Sequence, residues 1–183
     1  MDFLVYFAPA LAAVALLFAF YKIAFVSKQE PGTERMKEIS SAISEGARAF
    51  LFSEYKILAV FVAVLFIIIG IGLRNWLTAV CFLVGAAFSI LAGYIGMNVA
   101  PKANVRPANA ARTGGMNKAL SVAFSGGSVM GMCVVGLGLL GASVLYILIG
   151  KLDVLFGFSL GASSIALFAR VGGGIYTKAA DVG

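Results

Sequence analysis

The sequence predicts an all-α membrane protein with about five transmembrane helices. Three observations carry this reading. Of the 183 residues, 61% are hydrophobic and only 12% are charged, about half the charge of a soluble domain. The mean hydropathy is +1.01. The apolar residues also gather into runs long enough for the roughly 20 helical residues that cross a hydrocarbon core. Within these runs apolar and polar residues do not alternate, as they would in the strands of a membrane barrel.

The expected spans are about 3–26, 36–73, 76–99, 118–149 and 154–183, in a single transmembrane helical region over 1–183. The first, Phe3–Val26, is too long for the apolar part of a signal peptide, and no basic segment precedes it. Pro31-Gly32 then breaks the chain. The second segment starts amphipathic, with Ile39, Ile43, Ala47, Phe50 and Leu51 on one helical face and Lys37, Ser41, Glu45 and Arg48 elsewhere. No turn chemistry separates it from the apolar run up to Leu73, so one long helix is expected to overshoot the bilayer. The third segment, Trp76–Val99, is almost wholly apolar. Asn98–Asn117 holds Pro101, Pro107, Gly114 and Gly115 among basic residues. It reads as a connection, either a solvated loop near lipid headgroups or a collar for an anionic ligand. The fourth segment, Lys118–Ile149, is rich in glycine, and the fifth runs from Val154 to Gly183.

Charge sets the expected orientation. Basic residues crowd the first connection (Lys22, Lys28, Arg35, Lys37, Arg48, Lys56) and the third (Lys102, Arg106, Arg112, Lys118), whereas Arg74 and Lys151 stand alone in the other two. Positive connections stay cytoplasmic, so the N-terminus is expected outside and the C-terminal end inside. The net charge of +6 belongs to this pattern, and no nucleic-acid partner is expected. The sequence has no histidine, which removes histidine-based metal sites and acid–base catalysis from these residues. Cys81 and Cys133 lie inside apolar runs and read as small core residues. The spacings Gly85/Ser89/Gly93 and Gly157/Gly161, with the glycines of the fourth segment, read as stripes that let helices approach closely.

The fifth segment carries the candidate site. It has the composition of a span yet holds Arg170, Lys178 and Asp181. Charges at membrane depth are costly and mostly face a cavity, an ion path or each other. Arg170 and Asp181 are eleven residues apart, which on a helix places them about 20° off alignment and roughly 16 Å apart. Lys178 and Asp181 are three apart and so are neighbours on one turn. A lysine–aspartate pair near an interface can also be a snorkelling surface pair. Arg170 lies deeper, behind Gly172-Gly173-Gly174, three glycines that imply a close approach by another helix or a ligand. A cation and a carboxylate here suit a phosphate–Mg2+ ligand or ion translocation.

The string FARVGGGIYTKAADVG at 168–183 resembles the signature segment of membrane-integral, ion-pumping inorganic pyrophosphatases. The resemblance extends over MKEISSAISEGARAFL (36–51), AGYIGMNVA (92–100), NVR (104–106), AART (110–113) and FSGGSVMG (124–131), and so over essentially all of the chain. It implies an enzyme that hydrolyses Mg2+-pyrophosphate and moves H+ or Na+ across a membrane as a homodimer. Lys178 is then implied to bind pyrophosphate. Asp181 is implied to be catalytic and a metal ligand, and Arg170 to sit at the ion gate that couples site and channel. Mg2+ is the implied cofactor; K+ is a second candidate, its requirement set by residues outside this sequence. The implied location is a multi-pass position in a membrane, with the bacterial inner membrane favoured over acidic organelles.

In the family the motif continues into further carboxylates and a lysine, and a second carboxylate-rich string follows. These lie outside the 183 residues. The chain is therefore expected to be a truncated, N-terminal part of a larger bundle and inactive alone. A small stand-alone channel or transport subunit without hydrolysis is the alternative, and a purely structural membrane protein is a third reading.

Overall fold

The structure, a computed structural model, describes residues 2–182. Five helices follow one another: α1 (Asp2–Lys28), α2 (Glu34–Gly72), α3 (Trp76–Val99), α4 (Lys102–Ile149) and α5 (Leu152–Val182). No strand occurs among the described residues. Local chemistry fixes the boundaries. Gly32 takes φ 94 in the first turn. The Thr33 side chain accepts the N–H of Met36 to start α2, and Asn75 accepts from Leu77 and Thr78 to start α3. Gly150, left-handed at φ 67, ends α4.

Four stretches are long and apolar enough to cross a membrane: Tyr6–Lys28, Glu34–Gly72, Trp76–Ile149 and Val154–Ala179. The third holds α3 and α4 together. Its 74 residues would reach about 110 Å as one straight helix, far more than a bilayer. Ala100 and Pro101 keep helical dihedrals, so α3 leads almost directly into α4. The reversal comes instead at Gly115, whose φ of 75 and ψ of −177 are open almost only to glycine. Beyond it the chain returns, with Gly126 beside Ala103 and Met130 against Gly96. The stretch thus passes down and back, and the chain has about the expected number of helices, although α4 begins at Lys102, well before the expected start at 118.

The connection expected at Asn98–Asn117 is a correction. From Lys102 onward it is helical, despite Pro107 within it. Alanines at 103, 108, 110 and 111 favour the helix, and hydrogen bonds anchor it to the end of α1. Arg106 Nε donates to the Gln29 carbonyl at 2.9 Å, and Asn109 Nδ2 to that of Glu30 at 3.2 Å. The protruding unit is therefore a helical hairpin with Gly115 at its tip.

Close packing follows the small residues. α3 and α5 cross backbone to backbone: a Cβ at Gly161 would collide with the Phe82 carbonyl, one at Gly157 with that of Thr78, and one at Gly85 with that of Phe158. α1 lies along the returning arm of α4, where a Cβ at Gly136 would stand 2.8 Å from Leu16. Not every glycine serves packing, since Gly127, Gly131 and Gly138 face open space. Cys81 and Cys133 are free and buried, as small core residues are. The amphipathic face of α2 is covered only in part. Ala47 and Leu51 are buried, but Ile39 and Ile43 are exposed, because the contact of α5 with α2 reaches Gly46 through Tyr176. Many outward side chains, such as Leu17, Phe124 and Leu148, are large and apolar, as lipid-facing surfaces require. The chain is an integral, multi-pass membrane protein.

Candidate functional site

α5 carries all three expected site residues on one unbroken helix. Lys178 Nζ lies 3.5 Å from Asp181 Oδ2, with 80% and 59% of the two side chains exposed. The pair stands free on the helix surface, one turn apart, near the end of the bundle that carries the basic connections. Thr177 donates its hydroxyl back to the Gly173 carbonyl of the preceding turn at 2.5 Å. Arg170 is also exposed and lines a cavity of about 780 Å³ between α2, α3, α4 and α5. The helix therefore places Arg170 and the Lys178–Asp181 pair in sequence along its length, as separate stations.

α2 and α5 run antiparallel through this region and hold each other by aromatic rings. Phe61 meets Phe168 edge-on with centroids 4.5 Å apart, and Phe50 meets Tyr176 at 5.0 Å. The close approach expected at the glycine triplet occurs at Gly172 alone. A Cβ there would stand 2.6 Å from Glu54 Oε1 and 3.3 Å from Phe50, whereas Gly173 and Gly174 face open space.

Glu54 is the residue that sequence reasoning missed. It lies at the start of the apolar part of α2, and its Oε1 is buried with no hydrogen-bond donor among the described residues. Glu54 and Arg170 are the charged side chains that line the cavity, among the described residues. Arg170 was singled out as a charge deep within a span behind three glycines, whereas Glu54 lies where the amphipathic part of α2 passes into its apolar part and so did not stand out.

A second groove, about 620 Å³, gathers Lys37, Arg48, Lys102 and Arg106 with Glu45 and three serines. Two basic residues from each of the first and third connections thus line one groove. For a divalent metal the fit is partial. Asp181 offers the hard oxygen that Mg2+ prefers, yet no group of three or more metal-ligating side chains forms among the described residues. The described residues therefore do not form a complete metal centre by themselves.

Comparison with known proteins identifies the family. A family model described as inorganic H+ pyrophosphatase matches residues 13–183. The chain is 55% identical to a putative K+-stimulated pyrophosphate-energized sodium pump of Clostridium tetani, over 100% of this chain and 27% of that protein. It is 48% identical to a K+-insensitive pyrophosphate-energized proton pump of Methanosarcina mazei, again over 100% of this chain and 27% of the relative. A K+-stimulated pyrophosphate-energized sodium pump of Thermotoga maritima is 46% identical over 92% of this chain and 26% of its own length. The chain thus spans about a quarter of the length of these relatives, and sodium and proton pumps resemble it to similar degrees. With the match covering both the scaffold helices and the α5 string, the chain belongs to the inorganic H+ pyrophosphatase family.

Proposed function

We propose that this chain is the N-terminal part of a membrane pyrophosphatase that couples hydrolysis of Mg2+-pyrophosphate to translocation of H+ or Na+. One observation carries the reading: in a chain of this family, α5 presents an exposed Lys178–Asp181 pair with Arg170 in a cavity farther along the same helix. The basic end of the bundle is cytoplasmic by charge placement, so pyrophosphate approaches the pair from that side, in a bacterial inner membrane. Lys178 supplies a cation to the phosphate oxygens. Asp181 offers a carboxylate oxygen toward Mg2+ and toward the proton of an attacking water. When bound, Mg2+ would neutralise pyrophosphate charge. The two side chains are poised for this because their mutual ion pair is long and solvated, so releasing it costs little. Arg170 guards the cavity between this pair and the helical core. K+ stimulation varies among the relatives and is a property of the complete pump, as is the homodimer.

The test uses the complete protein that carries this segment, reconstituted into vesicles. Pyrophosphate hydrolysis and ion uptake are measured for the parent, Lys178→Ala and Asp181→Ala. Each substitution is expected to lower hydrolysis by about 10²–10³-fold. Hydrolysis retained in both would remove the site assignment, and no pyrophosphate-driven uptake in the parent would remove the pump reading.

A further inference from the structure

A carboxylate at the edge of an apolar segment ordinarily turns both oxygens toward water. Glu54 does not. Its Oε1 is buried against α5 and finds no donor among the described residues. Gly172 makes the room, since any Cβ there would press on that oxygen at 2.6 Å. Phe50, stacked on Tyr176, covers the same spot with an apolar ring. Its neighbour Tyr55 gives no help, because its hydroxyl donates across to the Ile90 carbonyl at 3.2 Å. The ion pairs of the structure leave Glu54 out, among the described residues. A carboxylate oxygen held this way is costly unless a cation compensates it. The cavity offers the means. Arg170 lines it from α5, and Ser89 and Asn104 add oxygen donors from α3 and α4.

We propose that Glu54 is a binding position for a monovalent cation, H+ or Na+, at the mouth of the ion path, with Arg170 as the competing charge in the same cavity. The inference rests on the pump reading for its role in transport, but not for the binding itself. A bound cation neutralises the half-buried carboxylate; when the cation leaves, Arg170 is the charge available to replace it. Gly172 is the positioning element, because it lets the carboxylate seat against α5 in the cavity that Arg170 also lines.

Two measurements on the complete protein test this. In vesicles, the ions moved per pyrophosphate hydrolysed are compared for the parent, Glu54→Gln and Glu54→Asp. The ratio is expected to fall by about tenfold or more in Glu54→Gln and to recover largely in Glu54→Asp, a rescue that a merely structural role would not give. A ratio unchanged in Glu54→Gln overturns the proposal while leaving the pump reading intact. In detergent, carbodiimide labelling of Glu54 in the unmutated protein is followed by mass spectrometry with and without Na+. Protection by Na+ marks a sodium site, and labelling indifferent to Na+ marks a protonated carboxyl. No labelling in either condition overturns the proposal even where the variants fail to fold. If the parent hydrolyses no pyrophosphate, the pump reading fails instead, and the labelling alone decides on Glu54.

Discussion

Two glycines of α5 show how one atom decides a substitution. At Gly172 an added Cβ meets the far end of the Glu54 side chain, which can swing away. Gly172→Ala is therefore expected to leave the thermal midpoint nearly unchanged, because alanine returns up to about 1 kcal/mol of helix propensity. It should nevertheless displace the carboxylate and reproduce part of the transport defect of Glu54→Gln. Gly161 behaves oppositely, since its Cβ would meet the backbone carbonyl of Phe82, which cannot move without its helix. Gly161→Leu should destabilise the fold by at least the ~1–3 kcal/mol typical of overpacking, read as a lower thermal midpoint in detergent. The Lys178–Asp181 pair adds a third contrast. Both side chains are largely exposed, so Lys178→Ala should leave the thermal midpoint within experimental error while lowering hydrolysis in the complete pump by about 10²–10³-fold. A matching loss of stability would make the pair structural.

Among the elements, the hairpin at the start of α4 was the least legible in the sequence. Two prolines and two glycines within a basic segment read as a loop, and by local chemistry they should. The helix forms because Arg106 and Asn109 reach the last carbonyls of the α1 end, partners more than seventy residues away by sequence that no local pattern announces. Gly115 then carries the reversal alone, at φ 75 and ψ −177. Gly115→Ala is expected to cost ~1–3 kcal/mol of backbone strain and to raise the rate of limited proteolysis between residues 102 and 118. Unchanged proteolysis would mean that the reversal tolerates a side chain. α2 was read more fully. Its 39 residues span about 58 Å, and its continuity through Tyr55 followed from the absence of any turn signal. The aromatic seam with α5 did not follow, because a ring's partner is chosen by helix arrangement.

For the whole molecule, charge asymmetry gives a topology that can be checked directly. Cys81 and Cys133 are buried and should resist a membrane-impermeant maleimide in the folded protein. Single cysteines introduced at Gln29 or Asn104 should then react from the cytoplasmic side, and ones at Arg74 or Lys151 from the opposite side. Labelling of all four from one side would overturn the orientation. The 183-residue chain by itself is expected to show no pyrophosphatase activity, as its described residues form no group of three or more metal-ligating side chains. Activity in the purified chain would show that its own residues suffice.

The sequence by itself determined the membrane class, the five helices, the basic end and the string that holds Arg170, Lys178 and Asp181. These depend on composition, run length and helical spacing, which are local properties of the chain. Only the tertiary structure decided which glycines are packing glycines, that residues 102–114 are helical, and that Glu54 shares a cavity with Arg170. Each of those depends on which helix lies beside which, and in a bundle whose helices are apolar on nearly every face, periodicity alone does not choose the neighbour.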